Sequence, residues 1–499
     1  MKYESTRGKA PLLEFGDVLL TGLAADGGLY VPTEFPRLTS ADLRSFEEMS
    51  YSDVATRVLT PFVSPSIGED DLAAMIEESY RTFRHPEVVP VQHIERIEPF
   101  AGFKTAAKER SCYLVELHWG PTFSFKDVAL QLLGRLFEYE LSRRDTGVMI
   151  VGATSGDTGS AAIEACRDRD GIELVMLHPR GRVSEIQRRQ MTTITSSNIH
   201  NVAIDGTFDD CQDLVKAMFG DTEFRQKHRL AAVNSINWAR VAAQTVYYFT
   251  SAAKILPIER HEFAERGQEE QISFIVPTGN FGNVFAGYVA AQMGLPIERL
   301  TIATNHNDIL YRTFKRKEMV INDVVPSTSP AMDIQVSSNF ERLLYYAMDK
   351  DSEWLDHAMR SFRSEGTLTL PKQVIDFLYQ SFVAGRASEE RVRWTIQSFF
   401  YNLGVIVDPH TAVALAVIND DYKVLRPGEE LVKKGPPIAV MSTAHPAKFP
   451  DVVEKAIEGP FELTQPEELA ALADKPERCT DLPNDLASVM DFVATASNQ

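Results

Sequence analysis

The sequence predicts an α/β protein built on open, mainly parallel sheets flanked by helices. Two stretches carry the prediction. Residues 147–179 contain GVMIVGAT, SAAIEACRD and IELVMLHP, which are an apolar run, an amphipathic stretch and a second apolar run. Residues 271–305 repeat the pattern as QISFIVPT, VFAGYVAAQMG and LTIATN. A strand, a helix and a strand within ~30 residues form a crossover unit, and such units join parallel strands. Length is the third observation. The chain has 499 residues, 44% of them hydrophobic and 24% charged, which suits two or more globular domains.

Along the chain, the first hundred residues show helical periodicity in ADLRSFEEM and LAAMIEESYRTF, between proline-containing connectors. Lys126 follows Phe123 and Phe125 and opens an apolar run, VALQLLGRLF, with the pattern of a buried helix. In SFKD, Ser124 stands as N-cap and Asp127 three residues on, the pattern of a capping box. Thr207 and Asp210 stand in the same relation ahead of a helix that continues over residues 213–218. Residues 340–403 read as mostly helical, as in RLLYYAMDK and RVRWTIQSFF, and PPIAVMST supplies a last strand at 436–443. The segment after 460, rich in Pro, Glu and Ala, is expected to pack on the outside.

Composition removes several classes of function. A net charge of −19 without a dense Lys/Arg run argues against a nucleic-acid surface. No apolar stretch approaches ~20 residues, so no membrane span is expected. Cys112, Cys166, Cys211 and Cys479 are scattered and suit neither a disulfide frame nor a zinc site. His118, His410 and His445 show no metal-ligand spacing. With no signal-peptide pattern in MKYESTRGKAP, a soluble cytoplasmic protein is expected.

Chemistry concentrates in two Gly-rich turns and one lysine. ATSGDTGSA (153–161) follows a strand and opens a helix. Its glycines let backbone N–H groups approach a ligand, and Ser155, Thr158 and Ser160 add hydroxyls. It is neither a Walker A loop nor a dinucleotide fingerprint, and a plain capped turn has the same composition. PTGNFGNVFAG (277–287) repeats the arrangement with Gly279 and Gly282 around Asn280 and Phe281. Two anion cradles at the carboxyl ends of parallel strands fall where open α/β sheets bind ligands. Lys126, in the first turn of a helix and beside two phenylalanines, is pushed towards its neutral, nucleophilic form by the dipole and by burial. Snorkelling from a helix start is the alternative fate of such a lysine.

A lysine ahead of two anion turns resembles the pyridoxal-phosphate enzymes of the tryptophan-synthase-β type. More narrowly, the chain resembles the threonine synthase family, in the fungal-like branch with an N-terminal extension. The resemblance rests on YESTRG (3–8), LAADGGLYVP (23–32), HWGPTFSFKD (118–127), VGATSGDTGSAA (151–162), GTFDDCQD (206–213), NSINWAR (234–240), PTGNFGN (277–283), SPAMDIQVSSNFER (329–342), DPHTAVA (408–414) and STAHPAKFP (442–450). These stretches run in family order from residue 3 to about 450.

The resemblance implies fold type II. An N-terminal α-rich domain would span 1–100, a smaller mobile α/β domain 140–245, a larger cofactor-binding domain 101–139 and 246–460, and a tail 461–499. It implies that Lys126 carries pyridoxal 5'-phosphate and moves protons. Gly279, Asn280, Phe281, Gly282 and Asn283 would hold the cofactor phosphate, and Thr443, or its neighbour Ser442, would face the pyridine nitrogen. Thr154, Ser155, Asp157 and Thr158 would receive the substrate α-carboxylate. Asp157, where relatives often carry Asn, would orient the turn rather than touch an anion. Arg182, Asn237, Arg240 and Lys448 are the candidates for the phosphate of O-phospho-L-homoserine, which water converts to L-threonine. A phospholyase giving 2-oxobutyrate, ammonia and phosphate shares the same motifs. STRG could reach the active site or brace it, and monomer and homodimer are equally compatible with the sequence.

Overall fold

The computed structural model describes residues 1–94, 110–418, 423–424 and 435–497. Its larger sheet has seven strands in the order Lys423–Val424, Phe382–Arg386, Ile297–Thr304, Ile272–Pro277, Ile438–Ser442, Cys112–Glu116 and Val91–Ile94. The five inner strands run parallel, and the two edges are antiparallel. Ile272–Pro277 is buried along its whole length, as a strand with helices on both faces must be. A second sheet is wholly parallel, in the order Thr480–Leu482, Ile199–Ile204, Ile172–Pro179, Val148–Ala153 and Leu230–Ala231. Both expected crossover units are present. Helix Asp157–Cys166 links two strands of the second sheet, and helix Gly282–Gln292 links two of the first.

A 29-residue helix, Trp238–Arg266, packs against helices Gly282–Gln292, Lys126–Arg143 and Tyr51–Val63. Asn237 caps it by accepting from Ala239 N at 3.0 Å, and Gly267 ends it in the left-handed conformation. The N-terminal region adds a small antiparallel sheet, Leu13–Glu14, Lys2–Ser5 and Tyr30–Pro32, and helices Tyr51–Val63 and Glu69–Tyr80. It shares the main core, because Tyr3 and Phe62 pack on Trp238 with ring centroids 6.0 and 5.8 Å apart. The domain boundary expected at 100/101 lies outside the described residues.

Two expectations are corrected. Region 340–403 is mostly helical as expected, with two short strands set into it: Thr367–Thr369 pairs with Glu318–Val320, and Phe382–Arg386 joins the large sheet. The strand Phe382–Arg386 follows helix Lys372–Ser381 directly, and an apolar run as short as FVAG cannot be told from a helix end by period. The segment after 460 does more than cover the outside. Thr480–Leu482 extends the second sheet, and Val489 and Val493 of helix Leu486–Ala496 enter its core. The strand's own side chains are largely exposed, so no alternation marks it. The second correction is the SFKD capping box, described next. The Thr207–Asp210 box is formed with both of its hydrogen bonds.

Candidate active site

Residues 117–125 leave strand Cys112–Glu116 and fold against the turn after the neighbouring strand Ile438–Ser442. Leu117 N donates to Ser442 O at 2.9 Å, Phe125 N to Thr443 O at 2.8 Å, and His445 N to Phe123 O at 3.1 Å. These bonds hold Phe125 as the N-cap, so the helix begins at Lys126 rather than beside Ser124. Asp127 turns further back, accepting from Thr122 N at 2.8 Å and from Thr122 Oγ1 at 2.7 Å, with Ser124 N only at 3.5 Å. Gly120 is required by this fold-back, since a Cβ there would lie 2.4 Å from Asp127 Cβ. The motif builds a tight loop that drives Lys126 inward.

Lys126 is buried, and its Nζ lies 3.8 Å from Asp157 Oδ2. Burial lowers its pKa to about 8. Lys448 and Arg240 push the same way, while Asp157 and Asp127 oppose. Lys448 is fully buried and reaches Asp157 Oδ1 at 2.6 Å and Thr122 O at 3.0 Å. For Asp157, burial alone would raise the pKa, but Lys448, Lys126 and His410 hold the carboxylate well below its usual range. Gln187 Nε2 donates to Asp157 Oδ1 at 2.8 Å. Asp157 is thus an ionised carboxylate between two lysines, with Gln187 as a further donor.

The TSGDT turn is tied from within. Thr154 Oγ1 accepts from Gly156 N at 2.9 Å and Gly159 N at 2.8 Å. Gly156 has φ +140, and a Cβ there would meet Gln187 Oε1 at 2.4 Å. Among the described residues, no partner takes the N–H groups of Ser155, Asp157 and Thr158 or the hydroxyls of Ser155 and Thr158. These donors form the free face of the turn, while Thr154 is internal and holds it.

The GNFGN loop leaves strand Ile272–Pro277, beside Ile438–Ser442 in the same sheet. Phe281 adopts φ +64 and opens helix Gly282–Gln292. Its carbonyls are spoken for: Gly279 O accepts from Ser337 Oγ at 2.7 Å, and Asn280 O from Asn339 N at 3.1 Å. The N–H groups of Asn280, Phe281, Gly282 and Asn283 have no partner among the described residues. Asn283 Oδ1 accepts from the hydroxyls of Tyr247 at 2.7 Å and Tyr248 at 3.0 Å, which leaves its buried Nδ2 unpartnered.

The phosphate candidates separate. Arg240, in the first turn of the long helix, is buried, and its Nε and Nη1 have no partner among the described residues. Burial lowers its pKa to about 10, against Tyr247. Asn237 is spent on structure, capping that helix and donating to Leu19 O at 2.9 Å. Arg182 is exposed, near Asp210. Thr443 is buried with its hydroxyl unengaged among the described residues, whereas Ser442 Oγ accepts from Thr411 Oγ1 at 3.2 Å. His410 is held by Asp408 Oδ1 at 2.9 Å and accepts from Ala331 N at 3.2 Å. Sequence reasoning missed Gln187 and Asn339, whose partners are remote in the chain. The STRG segment braces: Arg7 forks onto Glu341 at 3.1 and 3.0 Å, and Thr6 Oγ1 donates to it at 2.9 Å.

Comparison with known proteins agrees with this arrangement. The description "Threonine synthase N terminus" matches residues 2–80, "Pyridoxal-phosphate dependent enzyme" residues 89–372, and "Threonine synthase, C-terminal" residues 411–493. The threonine synthase of Pseudomonas aeruginosa is 44% identical over all of this chain and 99% of its own. That of Schizosaccharomyces pombe is 40% identical over 92% and 89%. The crystal structure of pyridoxal-phosphate-bound threonine synthase from Brucella melitensis superposes with a TM-score of 0.88 at 44% identity, covering 100% of both chains. Bacterial members are therefore at least as similar to this chain as fungal ones.

Proposed function

The chain belongs to the pyridoxal-phosphate-dependent threonine synthase family, and from that premise we propose that it converts O-phospho-L-homoserine and water to L-threonine and phosphate. The residues fit the cofactor. A phosphate needs convergent donors, and the GNFGN loop offers four unpartnered N–H groups beside the buried Asn283 Nδ2. An aldehyde needs a neutral amine, and Lys126 is lowered to about 8. When bound, pyridoxal phosphate supplies an electron sink for bonds at the substrate's α-carbon.

The chain's own residues then divide the remaining tasks. The free N–H groups of Ser155, Asp157 and Thr158 suit an α-carboxylate, with the Asp157 charge cancelled by Lys448. The Lys126 amine would accept and return protons on the substrate, and the Asp157 carboxylate 3.8 Å away would steady its charged form. Thr443, a neutral hydroxyl, leaves the pyridine nitrogen without a fixed counter-charge. Arg240 receives the substrate phosphate in forked geometry. Arg182 and Asn237 take no part in that contact on this reading.

The carrying observation is Arg240. A buried guanidinium with unpartnered nitrogens beside Lys126 is costly unless a strong anion completes it. Free Cys112, Cys166, Cys211 and Cys479 support a cytoplasmic location for the reaction, and no described helix is long and apolar enough to cross a membrane. The test is product analysis: the purified protein with phosphohomoserine should release threonine and phosphate in equal amounts. Release of 2-oxobutyrate and ammonia instead would make it a phospholyase.

A further inference from the structure

Arg342 is one of the largest fully buried side chains, and burial lowers its pKa to about 9, with Glu341 opposing. Its hydrogen bonds go to neutral oxygens in three separate segments. Nε and Nη2 donate to Tyr30 O at 3.1 and 2.9 Å, Nη2 also donates to Ile236 O at 2.7 Å, and Nη1 donates to Asn339 Oδ1. Holding a guanidinium in the interior on carbonyls alone is expensive. The arrangement fixes the rotamer of Asn339, whose amide then points its two protons outward along the chain of contacts.

Asn339 spans two loops. Its backbone N and its Nδ2 both donate to Asn280 O, at 3.1 and 2.9 Å, and Nδ2 also donates to Ser235 O at 2.9 Å. Asn280 lies in the GNFGN loop. Ser235 and Ile236 form the turn that opens the helix carrying Arg240. Ser337 Oγ, two residues earlier, binds only the first loop, at Gly279 O. Arg7 and Thr6 anchor Glu341 from the other side.

We propose that Asn339, oriented by Arg342, is a positioning residue that sets the spacing between the cofactor-phosphate loop and the Arg240 seat without touching either ligand. The inference rests on the reading of those two seats given above. It predicts a double defect. Asn339→Asp keeps the shape and the oxygen facing Arg342 but loses the Nδ2 donors. It should weaken pyridoxal-phosphate binding to the apoenzyme about tenfold and raise KM for phosphohomoserine by a similar factor at saturating cofactor. Ser337→Ala should weaken cofactor binding alone and leave KM unchanged.

The control is Asn198→Asp. Asn198 Nδ2 likewise joins two carbonyls, Cys166 O and Ile172 O at 2.9 Å each, but in the second sheet's layer. It should lower the melting temperature without moving either binding constant. An Asn339→Asp protein that melts like the control but keeps wild-type cofactor affinity and KM would reduce Asn339 to packing and overturn the proposal. Should Asn339→Asp not fold, Asn339→Ser, which is smaller and also lacks the bond to Ser235 O, takes its place, and unchanged cofactor affinity and KM in that variant overturn the proposal equally. Wild-type protein that takes up no pyridoxal phosphate would overturn the cofactor reading itself, and this inference with it.

Discussion

Arg240, Lys126, Lys448 and Asp157 show how single residues carry the site in a chain of net charge −19. Lys126 and Lys448 face the one carboxylate, and buried Arg240 lies near enough to Lys126 to lower its pKa, so on the proposed reading the site would attract a dianion that the surface as a whole repels. Arg240→Ala should cost on the order of 2–4 kcal/mol in kcat/KM for phosphohomoserine, and far less for an analogue lacking phosphate. Equal losses for both ligands, read from steady-state rates, would make Arg240 structural. Lys126→Ala should abolish turnover and the absorbance of lysine-bound cofactor while moving stability by less than about 1 kcal/mol, because a cation at a helix start contributes little. The pH dependence has a definite sign. Only neutral Lys126 captures the cofactor, so the rate of uptake by the apoenzyme should rise with pH through about 8 and then level. Asp157 favours the charged amine, and Asp157→Asn also leaves Lys448 uncompensated. Both effects lower the Lys126 pKa, so the rise should move to lower pH; a shift upward, seen by stopped-flow absorbance, would contradict the coupling.

Elements place these residues through strand order. Cys112–Glu116, Ile438–Ser442 and Ile272–Pro277 are parallel neighbours, so the loops after them, carrying Lys126, Thr443 and Asn280, open at one edge of the sheet. Gly279 lies at a crowded point of that edge, since a Cβ there would stand 2.8 Å from Ala331 O, a backbone atom that cannot swing away. Gly279→Ala should therefore displace the GNFGN loop and weaken cofactor retention at least about tenfold, with a stability loss of ~1–3 kcal/mol. Wild-type retention on dialysis would show that the loop tolerates the shift. The two Gly-rich turns were legible in sequence because a strand, glycines and a helix are adjacent along the chain. The Lys126 turn was misread as a capping box, because Phe125 and Ser124 answer to the turn at 443–445.

At the scale of the molecule, the segment beyond 460 ties the two layers together. Leu463 and Leu469 pack in the core of the large sheet, while Thr480–Leu482 and helix Leu486–Ala496 belong to the second. Between them, Glu477 pairs with Arg188 and accepts from Thr192 Oγ1 at 2.5 Å, and Arg84 reaches Glu468 at 2.7 Å. Nearer the pocket, Asp157–Lys448 and a bond from Gln190 Nε2 to Thr122 O at 3.1 Å bridge the same layers. A smaller unit over 140–245 that moves on substrate binding would have to work these contacts. Removing residues 477–497 bares the strand Ile199–Ile204 and the apolar surface under Val489 and Val493. The expected loss is ~3–6 kcal/mol with increased binding of a hydrophobic dye, since each buried aliphatic contributes ~1.5–3 kcal/mol. Unchanged melting would make the segment dispensable.

The sequence by itself determined the parallel α/β architecture and the two strand–turn–helix units with their Gly-rich turns, because each is written in residues close together in the chain, and it singled out Lys126 on the same local grounds. Only the tertiary structure separated Arg240, buried and unpartnered, from Asn237, consumed by capping, and from Arg182, left exposed. It alone set Asp157 between two lysines and joined Asn339 to Asn280 and Ser235. The physical reason is distance along the chain. A turn or a helix start depends on neighbours within a few residues, whereas the charge state of a buried group and the partner of a buried amide depend on whatever the fold brings against them.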